Sequence, residues 1–195
     1  MELTSLFSIA LAIQIFVLLS PLSSFPVLMN AHKQKMNVKR IAYLSVFTGF
    51  VIAIAIVYVG PFVFNLFGVS LDSFRIAGGI VLLLLGLSTI RPHEEEYHKT
   101  EGVNGLISII ATPLLTGPAT ISFITIKTYE LGALPVLFNV IAAFVLVGLV
   151  FVLFAHLIPR INVHLVDISS RVLGLFLTAV AIEMIGKGIL AFVSL

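Results

Sequence analysis

The segment that decides the fold is residues 3–29, LTSLFSIALAIQIFVLLSPLSSFPVLM. It carries no charged residue, and it is long enough to cross a hydrocarbon core about 30 Å thick at a helical rise of about 1.5 Å per residue. Pro21 and Pro26 interrupt it. Because proline lacks an N–H and clashes with the preceding turn, we expect two half-helices joined by an irregular stretch.

Five further apolar segments follow, and short polar stretches separate them. The chain of 195 residues is 59% hydrophobic and 10% charged, with a mean hydropathy of +1.19, whereas a soluble domain carries about 25% charged residues. The pattern predicts an all-α integral membrane protein with six transmembrane helices. We also expect Gly60-Pro61 to kink or end the second helix. The predicted segments are residues 3–29, 41–67, 74–90, 105–129, 134–157 and 166–192.

A proline motif occurs twice, once in the first segment and once in the fourth. Both copies read hydroxyl, Pro-Leu, three residues, Pro, and they are Ser20-Pro21-Leu22-Ser23-Ser24-Phe25-Pro26 and Thr112-Pro113-Leu114-Leu115-Thr116-Gly117-Pro118. Since each half has three crossings, the second copy would be upside down, as in many secondary transporters. We therefore expect a 3+3 inverted repeat, with helices 1 and 4 broken by paired prolines. The predicted parts are residues 1–91, a central cytoplasmic loop at 92–104, and residues 105–195.

The two broken stretches are the candidate substrate site. Pro26 and Pro118 suit the first position of the second half-helices, whose free N–H groups and partial positive charge favour a carboxylate. Carbonyls and hydroxyls before them could accept hydrogen bonds from an ammonium group. The alternative is that the prolines only kink two helices and the hydroxyls bond back to the backbone. The candidate substrate-binding residues are Ser20, Pro21, Ser23, Ser24, Pro26, Thr112, Pro113, Thr116, Gly117 and Pro118.

With both motifs in view, the whole chain resembles the MarC family of six-span inner-membrane proteins, also described as small neutral amino acid transporters. The second family motif, Pro-Leu-x-x-Gly-Pro, is intact at residues 113–118. The first usually reads Asp-Pro-x-Gly-x-x-Pro, and here Ser20 replaces the acid and Ser23 the glycine. The resemblance implies multi-pass residence in a prokaryotic plasma membrane and transport of glycine, alanine or similar solutes, with proton coupling as one possibility.

Charge distribution supplies the remaining predictions. Glu183 lies deep in the sixth segment, where an ionisable group is costly and often functional. It is either a proton-coupling candidate or the partner of Lys187 in a structural ion pair. Eight Lys and Arg side chains lie in the odd-numbered loops and three on the opposite side. That bias favours cytoplasmic odd loops and both termini outside.

Other function classes fit the residues less well. Cysteine is absent, and the five histidines show no metal-ligand spacing, so we expect no metal, no cofactor and no enzymatic activity. The expected partners are an amino acid substrate and membrane lipid, not nucleic acid. The alternatives that stay open are an exporter or channel for another small polar solute, and a membrane protein without transport activity.

Overall fold

The computed structural model describes residues 6–90, 116–157 and 163–193, and these ranges are helical with no strand. Four of the helices are long and apolar enough to cross a membrane, over Val38–Phe62, Leu71–Ile90, Ala133–Leu157 and Ile168–Ala191. The predicted all-α membrane class is therefore confirmed. The helices are α1 (Ile9–Leu19), α2 (Phe25–Lys33), α3 (Val38–Phe67), α4 (Leu71–Ile90), α5 (Pro118–Leu131), α6 (Ala133–Leu157) and α7 (Val163–Val193).

The first apolar segment is two helices rather than one. The helix α1 ends at Leu19, a short 3₁₀ turn covers Pro21–Ser24, and α2 begins at Phe25. Ser20, between α1 and the turn, has the left-handed backbone conformation, with φ 43° and ψ 56°. Pro26 is thus the second residue of α2, one position later than the sequence suggested.

The turn from α2 to α3 is tight. The N–H of Met36 donates to the carbonyl of Ala31 at 3.0 Å, and the N–H of Lys35 donates to the carbonyl of His32 at 2.9 Å. With Lys35 at φ 58°, this is a Schellman motif, which ends a helix and satisfies its last carbonyls. Few residues join α2 to α3, and the two helices are in contact.

The helix α3 continues through Pro61 to Phe67. Of the two outcomes predicted for Gly60-Pro61, an end of the helix at that point is wrong. One proline removes a single hydrogen bond, and the helix resumes because the neighbouring turns remain bonded. A Cβ added to Gly60 would lie 2.5 Å from Oγ1 of Thr125 in α5, so the small residue allows the two helices to pack closely.

The most extensive packing joins α4 and α7 through glycines. A Cβ on Gly86 would lie 2.9 Å from the backbone N of Thr178, and one on Gly79 would lie 3.0 Å from the carbonyl O of Ala181. Gly188, near the end of α7, meets Asp72, near the start of α4. The two helices therefore run antiparallel. These glycines allow the two helices to pack closely, as is usual where lipid removes the hydrophobic drive.

The helix α5 lies inside the bundle, in contact with α1, α3, α4 and α6. It is short for a span, and it buries four hydroxyl side chains: Thr120, Ser122, Thr125 and Thr128. The long helices α3 and α6 pack on each other beside it. The predicted central loop, residues 92–104, and the first part of the fourth segment lie outside the described residues.

Candidate functional site

The hydroxyl at the start of the first motif is used by the backbone. The Oγ of Ser20 donates to the carbonyl of Val17 at 3.1 Å, and the Ser20 N–H bonds to the same carbonyl at 3.1 Å. Both bonds close the end of α1, and Ser20 is only 5% exposed. The geometry of Ser20 therefore fits the alternative in which the hydroxyl bonds back to the backbone, because its hydrogen is directed to a carbonyl of its own helix.

Ser24, at the end of the same motif, differs. Its side chain is fully buried, and its Oγ has no hydrogen-bond partner among the described residues. The next residue, Phe25, packs edge-on against Phe154 of α6, with ring centroids 4.9 Å apart. A buried hydroxyl without a partner is uncommon because its desolvation is uncompensated. The first motif thus offers one free polar group inside the protein.

The second motif begins α5. Gly117 is its N-cap in an extended conformation, with φ −68° and ψ 174°, Pro118 opens the helix, and no side chain caps it. The N–H of Ile121 is the first to bond within the helix, to Gly117 at 3.0 Å. Thr116, just before, is buried with 1% exposure. The start of a helix carries a partial positive charge.

The other predicted site residues are described less fully. Thr112 and Pro113 lie outside the described residues. For Ser23, Pro26 and Pro118 the structure describes the backbone course only. Pro21 is buried and opens the 3₁₀ turn. The turn packs against α6 and α7, while α1 reaches α5.

A network of ion pairs, not anticipated from the sequence as a unit, joins α4 to α5. Arg75 bonds through Nη1 to Asp72 at 2.6 Å and through Nη2 to Glu130 at 2.5 Å. Glu130 also accepts from Nζ of Lys127 at 2.8 Å. We call these four residues the charged cluster. Its side chains are 19–27% exposed, so the pairs are largely shielded from solvent.

Three residues of the charged cluster, Arg75, Lys127 and Glu130, border a small polar cavity of about 40 Å³. Gln14 of α1 and the pair Glu183–Lys187 of α7 also line it. Nζ of Lys187 lies 2.6 Å from the Glu183 carboxylate, and both side chains are more than half exposed. The ion-pair alternative for Glu183 is therefore present in the structure, and its role in proton coupling stays a prediction.

A larger cavity, of about 420 Å³, lies between α3, α4 and α5. Its lining is apolar apart from the Thr125 hydroxyl, which donates to its own helix at Ile121. It includes Val59, Gly60 and Phe74, and none of the predicted site residues. Its chemistry suits a hydrocarbon chain better than a polar solute.

Asn139 joins two helices through hydrogen bonds. Its Oδ1 accepts from the N–H of Ser8 at 3.1 Å, and its Nδ2 donates to the carbonyl of Leu6 at 3.2 Å. A second bond from Nδ2 goes to Pro135 in its own helix at 2.7 Å. Asn139 thereby holds the start of α1 against the start of α6.

The comparisons with known proteins agree with this architecture. The family model for MarC family integral membrane proteins matches residues 5–193. A UPF0056 membrane protein of Methanocaldococcus jannaschii is 31% identical, over 90% of this chain and 92% of its own length. The UPF0056 membrane protein YhcE of Escherichia coli is 30% identical, over 91% of this chain and 89% of its own. No solved structure matches. The chain belongs to the MarC family.

Proposed function

We propose that this MarC family membrane protein is a secondary transporter of small neutral amino acids, such as glycine and alanine, that works by alternating access. The observation that carries the proposal is the broken first segment: a helix end, a 3₁₀ turn and a new helix start lie within an apolar run. Irregular backbone at membrane depth is tolerated only against protein or a polar cavity. Broken helices of this kind form the substrate sites of many transporters.

A path of six crossings supports the proposal. The bundle has two ends, which we call the 34–37 end and the 68–70 end after the residues that turn there. Glu130, near the end of α5, pairs with Arg75, near the start of α4, so α5 finishes at the 68–70 end. The chain leaves α4 at the 34–37 end. The proposed path has one crossing between the end of α4 and the end of α5.

The remaining contacts support that path. Because α6 follows α5 after Gly132, it starts at the 68–70 end, and Asn139 holds the start of α1 beside it. The helix α7 finishes beside Asp72, at the same end. Counted this way, the chain forms two halves of three crossings with both termini at the 68–70 end. The bias of Lys and Arg towards the other end favours a cytoplasmic 34–37 end.

In the proposed site, the substrate carboxylate binds at the start of α5, near Gly117, and at the corresponding start of α2. The amine meets carbonyls and hydroxyls of the broken stretches. A zwitterion is satisfied by opposite helix ends without any buried charged side chain. No covalent step is needed, so the protein acts as a carrier and not as an enzyme. One half then moves against the other to expose the site alternately.

Counterflow in proteoliposomes tests the function. Vesicles are loaded with one unlabelled amino acid at a time, and entry of labelled glycine or alanine is followed. We expect accumulation with small neutral amino acids inside, and none with lysine or glutamate. Absence of counterflow with every amino acid, from protein shown to be folded by its melting transition, would refute amino acid transport. Another small polar solute would then become the leading alternative.

A glycine variant tests the site. The φ of Gly117 is −68°, which any residue can adopt, so Gly117→Leu adds bulk without backbone strain. We expect it to abolish uptake while the melting temperature stays within a few degrees of the wild type. Gly186→Leu is the matched control, since nothing lies within 4 Å of a Cβ at that position. Normal uptake by Gly117→Leu would remove Gly117 from the site.

A further inference from the structure

The larger of the two cavities, of about 420 Å³, opens on the surface of the bundle. Four of the large apolar side chains that line it are exposed, and they are Val59, Phe67, Val69 and Ile121. Val59 belongs to the apolar span Val38–Phe62, so the opening faces the hydrocarbon of the membrane and not water. We call this cavity the apolar groove.

The floor of the apolar groove offers no polar group to a ligand. Gly60 and Thr125 both line it, and a Cβ added to Gly60 would lie 2.5 Å from Thr125 Oγ1, so α3 and α5 meet there. The Thr125 hydroxyl, the polar side chain among the described lining residues, donates to the carbonyl of Ile121 at 2.7 Å. Burying a polar group against such walls is unfavourable. The occupant must therefore be apolar along its whole contact with the protein.

The length and direction of the apolar groove match one leaflet of a membrane. Ala55 lies close to the middle of α3, and Phe67 is the last residue of that helix. The rise of the helix between them is about 18 Å, and half of a hydrocarbon core about 30 Å thick is about 15 Å. The groove thus runs from mid-membrane to the 68–70 end, which is the direction that acyl chains take.

We propose that the apolar groove binds one acyl chain of a membrane phospholipid from the leaflet at the 68–70 end. The groove is continuous with the lipid-facing surface of α3, so the chain enters sideways and its headgroup stays at the membrane surface. A chain between α3, α4 and α5 contacts protein on both sides, and it gains dispersion contacts that lipid at an open surface lacks. The inference does not depend on which solute the protein carries.

Tryptophan fluorescence tests the site, because the chain has no tryptophan of its own. Phe67→Trp places a reporter at the mouth of the groove. Phe62→Trp is the matched control, since Phe62 is also an exposed aromatic residue of α3 but does not line the groove. Phosphatidylglycerol with brominated acyl chains, which quench tryptophan on contact, is added to the purified protein in maltoside micelles. We expect saturable quenching of Phe67→Trp at about one lipid per protein, and quenching of Phe62→Trp only in proportion to the lipid added.

Filling the groove should remove the lipid. Ala55 is exposed and lines the groove, so Ala55→Phe adds a ring to the groove and not to the core. Combined with the Phe67→Trp reporter, it should raise the lipid concentration for half-maximal quenching about tenfold, because apolar contact is lost. Val51→Phe is the matched control: Val51 is exposed on the same helix outside the groove, and the quenching curve should not change. Val59→Phe fills the groove from a second position.

Each outcome decides the proposal. Identical quenching curves for Phe67→Trp and Phe62→Trp would overturn it, because the groove would then bind lipid no better than the open surface does. Unchanged curves in Ala55→Phe and Val59→Phe would also overturn it. If Ala55→Phe lowers the melting temperature by several degrees, Val59→Phe alone decides. No quenching of Phe67→Trp at any lipid concentration would mean that protein covers the groove, and the lipid site would be wrong.

Discussion

At the scale of single residues, Ser20 shows how a polar group can serve the fold and not the ligand. Its left-handed backbone turns the chain out of α1, and its hydroxyl and N–H both bond to Val17. A carboxylate there would lie at the negative end of α1, where an anion is disfavoured, so the serine removes that electrostatic conflict.

The backbone of Ser20 leads to a prediction about stability. Ser20→Val places a β-branched residue at φ 43°, and we expect a loss of about 1–2 kcal/mol in the free energy of unfolding. Ser20→Asn should be close to the wild type, because asparagine tolerates this conformation. Thermal unfolding of the purified variants in one detergent measures the difference. Equal melting temperatures for the two variants would contradict the importance of the left-handed conformation.

The part of the site that depends on local backbone chemistry could be predicted from the sequence. The part that depends on contacts between distant elements could not. The geometry of proline is local, so Pro21 and Pro26 suffice to predict irregular backbone. The partner of each hydroxyl is set by distant elements, and no pattern separates Ser20, which bonds to α1, from Ser24, which has no partner. The pair Arg75–Glu130 is separated by 55 positions in sequence, so only the fold brings it together.

At the scale of elements, the short helix α5 and the glycine-lined pair α4–α7 determine how closely the bundle packs. Hydropathy alone predicted α3, α4, α6 and α7 to within a few residues, since each is a long apolar run. It could not predict that α3 passes through Pro61, because the cost of one missing hydrogen bond is offset by packing along the rest of a 30-residue helix. Long-range packing overrode a local rule.

The interface between α4 and α7 predicts which glycines matter. A Cβ on Gly86 would lie 2.5 Å from Thr178 Oγ1 and 3.0 Å from the carbonyl O of Gly174, so Gly86→Ala must push the helices apart. We expect a loss of about 1–3 kcal/mol in stability, as for overpacked cores. Gly186→Ala, with open space around it, should be neutral or slightly stabilising. The comparison of melting temperatures decides, and a stable Gly86→Ala would refute the close contact.

At the scale of the whole molecule, the proposed six-crossing path makes the two ends of the bundle distinguishable. The chain has no cysteine, so single cysteines can be labelled without altering the background. A cysteine at Val69, at the 68–70 end and 41% exposed, should react with a membrane-impermeant maleimide added to intact cells. One at Gln34, in the opposite turn, should react only after the membrane is permeabilised. Labelling of Gln34→Cys from outside would reverse the orientation.

The charged cluster ties the two proposed halves together at the 68–70 end. Arg75 belongs to the first half and Glu130 to the second, and both are largely shielded. Any motion that opens this end must separate them, which is costly for a shielded ion pair because each charge is left without its partner. The pair Glu183–Lys187 lies within one helix, so it does not oppose such a motion. Because its side chains are more than half exposed, it contributes little to stability.

This contrast predicts the behaviour of the small polar cavity. Gln14 lines it from α1, so a cysteine at Gln14 reports whether the 68–70 end is open. We expect Glu130→Gln to raise the maleimide labelling rate of Gln14→Cys about tenfold. Weakening the Arg75–Glu130 ion pair by about 1.4 kcal/mol raises the population of the open state by that factor. Glu183→Gln, the matched control, should leave the rate unchanged. If both substitutions raise the rate equally, or neither does, the Arg75–Glu130 pair does not hold this end closed, and the halves must be tied by packing alone.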